Sequence, residues 1–179
     1  MTQIVCLSSL ADRPDAYASI ERIFFAASGT KTFASEEARD AFRERWLGRY
    51  LVHDAGHVFV ALDGARRIVG YLVGCLDDPA RTERFGDIGF FAGFAPLTAR
   101  YPAHLHVNLD EAARGAGIGG LLVEAFCEQV VAAGLPGVHV VTGKGVRNVG
   151  FYERLKFFER GSAAFNGHEV VFLGRDLST

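Results

Sequence analysis

Four glycines follow an arginine in the middle of the chain. Residues 114–120 read Arg-Gly-Ala-Gly-Ile-Gly-Gly, and an apolar run of helical period comes directly after them. Glycine at a helix start costs backbone entropy, so the cluster predicts left-handed dihedral angles or a ligand that approaches the main chain closely. The N–H groups of a first helical turn, the helix dipole and the charge of Arg114 together favour an anion such as a pyrophosphate. The alternative is that the glycines only allow close packing of a helix on a strand.

Two nucleotide-binding motifs fit this region poorly. Gly115, Gly117 and Gly120 have the spacing of the dinucleotide fingerprint, but that motif follows the first strand of its domain and at least three predicted strands precede it here. The strand predicted at 138–142 also lacks the terminal acidic residue that would bind a ribose. Residues 142–145 lack the first glycine of a phosphate loop and the Ser or Thr after its lysine. A dinucleotide-dependent oxidoreductase is therefore disfavoured.

The elements that must position this turn alternate along the chain. Val, Phe, Tyr and Leu at strand spacing predict strands, and Asp63-Gly64 predicts the turn of a hairpin between two of them. Apolar stripes that follow the cap residues Asp12 and Ser35 predict helices. The expected architecture is a mixed sheet with helices on both faces, in one domain over residues 1–179. The predicted strands are 3–8, 57–62, 68–76, 103–109, 138–142, 157–161 and 169–175, and the predicted helices follow Pro14 and Ser35 and span 116–133 and 146–155.

Residues 77–102 show no clean period and are rich in Phe, Gly and Pro. A connection of this length is usually functional or disordered, and its aromatic residues argue against disorder. We interpret it as a flap on the substrate side, or alternatively as an aromatic cluster beneath a loop. If the rings near residues 90–94 stay exposed, a homodimer is expected.

Composition limits the partners and the compartment. The formal net charge of −2 comes from interspersed acidic and basic residues, so nucleic acid is not an expected partner. No stretch approaches the roughly 18 apolar residues of a membrane span, and no basic leader precedes an apolar core, so we expect a cytoplasmic protein without membrane contact. Cys6, Cys75 and Cys127 have no metal-ligand or redox spacing, which predicts reduced, mostly buried thiols and no metal site.

Two motifs in order resemble a known superfamily. Arg114-x-x-Gly117-x-Gly119 follows a strand that ends in Val107-Asn108-Leu109, and residues 151–157 read Phe-Tyr-Glu-Arg-Leu-Lys-Phe. Together they resemble the acetyl-CoA signature of the GNAT acyltransferase superfamily over residues 57–175. Residues 101–108 and 136–139 are further similar to the acetyltransferase-like domain joined to O-GlcNAcases and to its free-standing bacterial relatives. The resemblance implies an α/β (α+β) fold whose mixed, mostly antiparallel central sheet has a splayed central strand pair and helices on both faces.

The resemblance also implies a coenzyme A site. In GNAT proteins the pantetheine arm pairs with the strand before the glycine turn, so the N–H of Val107 would face the acetyl carbonyl and Leu109 would pair with pantetheine. The amides of the turn would hold the pyrophosphate. The implied cofactor-binding residues are Val107, Asn108, Leu109, Arg114, Gly115, Ala116, Gly117, Ile118, Gly119, Gly120, Asn148 and Tyr152.

Catalytic candidates come partly from the resemblance and partly from side-chain chemistry. Tyr152 occupies the position of the family tyrosine that protonates the departing thiolate, although its ring could simply pack in a helix. His104 and His106 are candidate general bases, because histidine titrates near neutral pH and alternation puts both on one face of their strand. A structural role for each is the alternative. Asp110 and Glu111 are second-line candidates, being also suited to turns and caps.

Three positions depart from the family pattern. Glu111–Ala113 replaces the usual Pro-Glu-Tyr, Gly145 stands where many members have asparagine, and Lys156 replaces a glycine. The expected function is acetyl-CoA-dependent N-acetylation of a small-molecule or peptide amine by direct attack in a ternary complex. The alternative is a catalytically silent module that binds coenzyme A.

Overall fold

A computed structural model describes residues 2–177, so Met1, Ser178 and Thr179, the ends of the predicted domain, lie outside the described residues. The strands are β1 Gln3–Cys6, β2 Val58–Leu62, β3 Ile68–Cys75, β4 Ala103–Leu109, β5 Gly137–Gly143, β6 Phe158–Phe165 and β7 His168–Asp176. The α-helices are α1 Arg13–Ala27, α2 Glu36–Arg43, α3 Arg49–His53, α4 Phe90–Gly93, α5 Ala95–Thr98, α6 Ile118–Ala132 and α7 Val149–Arg154. Short 3₁₀ helices span Leu7–Ser9, Ala55–His57, Glu83–Phe85 and Glu111–Ala113.

The strands of the described residues form a seven-stranded sheet in the order β1-β2-β3-β4-β5-β7-β6. The pairs β1–β2, β2–β3, β5–β7 and β6–β7 are antiparallel, and β4–β5 is parallel. The parallel register covers Ala103 opposite Val138 and His104 opposite His139. This confirms the mixed, mostly antiparallel sheet, and the short parallel register is the geometry expected of a splayed strand pair.

The chain divides into two compact units, and the expectation of a single domain stays a prediction. The first unit holds the described residues up to Gly74 together with His106–Phe126. Within it, Trp46 lies against His106 on one face of the sheet, and Phe126 of α6 lies beneath Gly74 on the other. The predicted helices on both faces are therefore present in this unit.

The second unit holds Cys75–Leu105 and the chain from Cys127 onward. Its irregular segment is organised by α4 and α5, and the phenylalanines that we expected to mark a flap are buried. Phe91 packs against His139 and Phe94 against Phe172. These contacts fit the aromatic-cluster interpretation, and the exposed rings on which the expected homodimer depended are not found.

Local caps follow the predicted pattern. The Asp12 side chain accepts a hydrogen bond from the Asp15 amide at the start of α1, and Ser35 accepts one from the Ala38 amide at the start of α2. A π-helical turn over Glu44–Gly48, which no sequence pattern predicted, joins α2 to α3. Cys75 and Cys127 are buried, and Cys6 is half-buried.

Several boundaries and orientations differ from the prediction. The apolar residues of the helix predicted at 116–133 are expected to face the core, but Leu121 is 52% exposed, so that expectation was wrong for Leu121. The strand predicted at 157–161 extends to Phe165. Among residues 2–177, the helices are too short or too polar to cross a bilayer.

Candidate functional site

The glycine turn lies in the first unit, between β4 and α6. Gly115 has φ +81° and Gly117 has φ +78°, a region of the backbone map that side chains with a Cβ rarely occupy. A Cβ built at either residue would meet no other atom within 4 Å. The expectation of left-handed dihedral angles is thus confirmed, and the space beside both residues is open to a ligand.

The helix after the turn supplies the electrostatics of an anion site. The first hydrogen bond into α6 runs from the Leu121 amide to the Gly117 carbonyl, at 3.2 Å. The amides that precede Leu121 in this turn have no partner in the helical pattern, and the positive end of the dipole lies at the same place. Arg114, directly before the glycines, is exposed. These features fit a pyrophosphate, because main-chain N–H donors lie at the positive end of the helix dipole and the open positions of Gly115 and Gly117 leave room for a ligand.

The last residues of β4 lead into the turn. Val107, Asn108 and Leu109 are all half-buried, and the Asn108 side chain donates a hydrogen bond of 2.9 Å to the Tyr71 hydroxyl on β3. Burial raises the pKa of Tyr71. A Cβ at Gly70 would meet the Cδ2 methyl group of Leu109, so a side chain there would have to displace the end of Leu109.

An ion pair holds the corner where β4 ends. Arg22 of α1 donates to both carboxylate oxygens of Asp110, at 2.7 and 2.9 Å. The Arg22 hydrogen bonds, opposed by partial burial, hold the pKa of Asp110 below its usual value. A carboxylate engaged at both oxygens is a poor general base, which disfavours the catalytic interpretation of Asp110. An open groove of about 700 Å³ adjoins this pair and includes Arg67 and Ala116 in its lining.

His106 has an aromatic environment. Its ring lies edge-on to Trp46 and Tyr50, with centroid separations of 5.6 and 5.5 Å. Burial lowers the pKa of His106 to about 4. The imidazole is therefore neutral at neutral pH, and it is a weak base.

His104 lies in the second unit in a different setting, although alternation along β4 points it to the same face as His106. It is 2% exposed and packs against Phe85, Phe91 and His139, with ring centroids 4.7, 5.7 and 5.5 Å away. His139 is fully buried, and its Nδ1 lies 2.5 Å from the Tyr101 carbonyl oxygen. This surrounding favours a packing role for His139.

Tyr152 and Asn148 belong to the second unit. The Tyr152 ring contacts Phe151 and Phe157 edge-on, at 5.0 and 5.6 Å, and burial raises the pKa of its hydroxyl. Asn148 is exposed before α7, and its side-chain oxygen accepts a hydrogen bond of 3.1 Å from the Thr142 hydroxyl.

The departures from the family pattern have a backbone explanation. Gly145 has φ +74°, a conformation that asparagine tolerates better than most residues. Lys156 has φ +65°, so the position expected to carry glycine does need a left-handed residue.

The structure brings together part of the predicted site. The glycine turn, the end of β4 and His106 all belong to the first unit, whereas His104, Asn148 and Tyr152 belong to the second. Sequence reasoning missed Arg22 and Tyr71, because each meets its partner through the tertiary fold and carries no motif. Within residues 2–177, no group of three His, Cys, Asp or Glu side chains is placed to hold a metal ion.

Known structures share this fold. The chain resembles "SsHAT" at 24% identity, with 99% of each chain covered and a TM-score of 0.72. It resembles an N-acetyltransferase from Staphylococcus aureus Mu50 at 16% identity, with 99% of each chain covered and a TM-score of 0.64. A chain of the NatC complex bound to Gag peptide and CoA matches at 15% identity over 99% of this chain and 98% of that one, with a TM-score of 0.60. The closer kinship with O-GlcNAcase-associated domains stays a prediction.

The family model of the acetyltransferase (GNAT) family matches residues 16–157, which include most of α1, the glycine turn and Tyr152. This span is most of the chain and contains both motifs that carried the resemblance. The protein therefore belongs to the acetyltransferase (GNAT) family and is an acyltransferase.

Proposed function

We propose that this protein is an acetyl-CoA-dependent N-acetyltransferase that acts on a small-molecule or peptide amine by direct attack in a ternary complex. The observation that carries the proposal is the turn before α6, where Gly115 and Gly117 are left-handed and open to a ligand. A peptide and CoA bound to the NatC complex are consistent with this class of acceptor and cofactor.

Cofactor binding rests on main-chain donors. In the proposal, the amides of the glycine turn and the charge of Arg114 bind the pyrophosphate, and the end of β4 pairs with pantetheine. The residues assigned to cofactor binding are Val107, Asn108, Leu109, Arg114, Gly115, Ala116, Gly117, Ile118, Gly119, Gly120, Asn148 and Tyr152.

Acetyl-CoA supplies the thioester whose carbonyl carbon the amine attacks. The proposal assigns the Val107 N–H to the carbonyl oxygen, where one such donor is worth about 3 kcal/mol in the transition state. Tyr152 is the proposed acid. Burial raises the pKa of its hydroxyl, so Tyr152 keeps its proton at neutral pH. We assign it as the donor to the departing thiolate from its position in the family motif.

His106 is the proposed proton acceptor, and His104 is the second candidate. An imidazole with a pKa of about 4 cannot readily deprotonate a free alkylammonium, whose pKa is about 10. The ammonium of the tetrahedral adduct is far more acidic, so a weak, neutral base suffices at that stage. Because His104 is enclosed by Phe85 and Phe91, His106 is the stronger candidate.

The glycine turn can be tested with a matched pair of variants. Gly117→Ala and Gly134→Ala each place a Cβ on a left-handed residue with no neighbour within 4 Å, and Gly134 lies beyond the other end of α6. Each should lose about 1 kcal/mol of stability, whereas only Gly117→Ala should raise the Kd of acetyl-CoA, by about tenfold. Calorimetric titration measures the Kd. Equal affinity in both variants would contradict the proposed role of the turn.

A further inference from the structure

Asp110 occupies the corner at which the chain leaves the sheet and enters the glycine turn. Its amide donates to the Val69 carbonyl on β3 at 2.9 Å, and its own carbonyl accepts from the Ala113 amide at 3.0 Å. The residue is thus the last point before Gly115 that the sheet holds. Both of these hydrogen bonds use the main chain of Asp110, so its side chain is available for a third attachment.

Arg22 provides that third attachment. Its guanidinium meets the Asp110 carboxylate in a two-bond fork, with side chains 57% and 24% exposed respectively. The two residues are 88 positions apart in sequence. Arg22 projects from α1, whose buried residues Ile20 and Ile23 anchor the helix in the core. The fork therefore ties the turn to a rigid element, with the geometric specificity of a bidentate pair.

Apart from the main-chain hydrogen bond between Leu121 and Gly117, the turn itself has little to hold it. Gly115 and Gly117 carry no side chains and have no neighbour at the Cβ position. Beyond them the next anchor is Ile118, buried at the start of α6. Glycine has more conformational freedom to lose than any other residue, so an anchor that orders the turn beforehand lowers the cost of ligand binding.

We propose that the Arg22–Asp110 pair positions the glycine turn for the pyrophosphate of acetyl-CoA. This inference rests on the proposed function, and it assigns Arg22 and Asp110 as positioning residues that act through the main chain of the turn. The neighbouring Arg67–Asp63 pair lies in the same groove with hydrogen bonds of 2.9 and 2.8 Å, but it closes the β2–β3 turn and does not hold the glycine turn.

Because Asp110 is negatively charged, its replacement can distinguish a positioning role from a purely electrostatic effect on the bound anion. If Asp110 only opposed the anion, Asp110→Asn would remove a repulsion and tighten binding of acetyl-CoA. If the pair positions the turn, Asp110→Asn and Arg22→Ala both loosen it and both raise the Kd. Arg22→Lys keeps the charge but loses the fork, so it should restore affinity only in part.

The experiment is calorimetric titration of the full chain with acetyl-CoA, together with thermal unfolding of each variant. We expect Arg22→Ala and Asp110→Asn to raise the Kd about fivefold, the double variant to cost no more than either single one, and the Arg67→Ala control to bind as the natural chain does. Their unfolding midpoints should match that of Arg67→Ala, since a purely structural pair would lower the midpoint and leave the Kd unchanged.

Other results overturn the inference in distinguishable ways. If the natural chain binds acetyl-CoA and the Asp110→Asn chain binds it equally or more tightly, the positioning role is wrong and the proposed function stands. If the natural chain does not bind acetyl-CoA, the proposed function and this inference both fall.

Discussion

Lys156 adopts a left-handed backbone conformation, which residues with a Cβ disfavour. With φ +65°, the Cβ of Lys156 approaches the following carbonyl group, which costs about 1–2 kcal/mol relative to glycine. The Lys156 amide still donates to the Glu153 carbonyl at 2.9 Å, so the turn after α7 is intact. The surrounding structure thus holds the lysine in a conformation that the resemblance associates with glycine.

Lys156→Gly should therefore stabilise the protein. Relief of the left-handed strain exceeds the entropy that glycine loses on folding, so we expect a gain of about 0.5–1 kcal/mol. Urea unfolding measures it. Lys156→Ala keeps the Cβ and serves as the control. An equal gain in both variants would show that the lysine side chain, rather than its backbone conformation, is unfavourable.

His106 should make stability depend on pH. In the unfolded chain its imidazole binds a proton near pH 6.5, but in the folded chain only near pH 4, because burial opposes the charge. Between these values the unfolded state binds more protons, so stability falls as the pH drops through this window. The resulting loss of unfolding free energy, relative to neutral pH, is about 2 kcal/mol at pH 5 and is negligible above pH 7.

The His106→Gln variant isolates this effect. The loss of unfolding free energy between pH 7.5 and pH 5 should be about 2 kcal/mol smaller in His106→Gln than in the natural chain. The exposed His168, replaced in the same way, is the control. Identical pH dependence in the natural chain and His106→Gln would mean that His106 titrates normally and is solvated.

Among the elements, α6 is fixed against β3 by a glycine. A Cβ at Gly74 would lie 2.5 Å from Cζ and 2.8 Å from Cδ2 of the Phe126 ring. Because the ring is fully buried, the helix must shift to accommodate a methyl group. Since α6 also begins at the glycine turn, this contact sets how the helix supports the candidate site.

Gly74→Ala should destabilise the protein by about 1–3 kcal/mol through overpacking. Gly29→Ala is the matched control, because nothing lies within 4 Å of its Cβ position. Chemical unfolding of the two variants measures the difference. A Gly74→Ala chain as stable as Gly29→Ala would show that Phe126 can move without cost.

Local patterns predicted the elements that local physics controls. The β2–β3 hairpin, the caps Asp12 and Ser35 and the left-handed Gly115 all follow from residues near in sequence. The π-helical turn left no signal, because its residues keep the helical spacing on either side. The end of β6 was missed because Ser162, Ala163 and Ala164 are small, whereas β-branched and aromatic residues are the ones that indicate a strand.

Across the whole molecule, the contacts that sequence could not predict are long-range. Arg22 meets Asp110, and Tyr71 meets Asn108, through elements whose pairing only the folded chain defines. The burial of Phe90 and Phe91 likewise depends on α4 and its partners in the second unit, so composition alone left the exposed and buried alternatives open. The superfamily, by contrast, was predictable from two short motifs and their order.

The most direct test of the account is turnover by the full chain. Acetyl-CoA is supplied with a panel of small-molecule and peptide amines, and free thiol and acetylated amine are quantified together. We expect equal amounts of both products with at least one amine, and a rate that falls about a hundredfold in Tyr152→Phe while acetyl-CoA still binds. Binding of acetyl-CoA without acetylation of any amine would contradict the account and would identify a silent CoA-binding module instead.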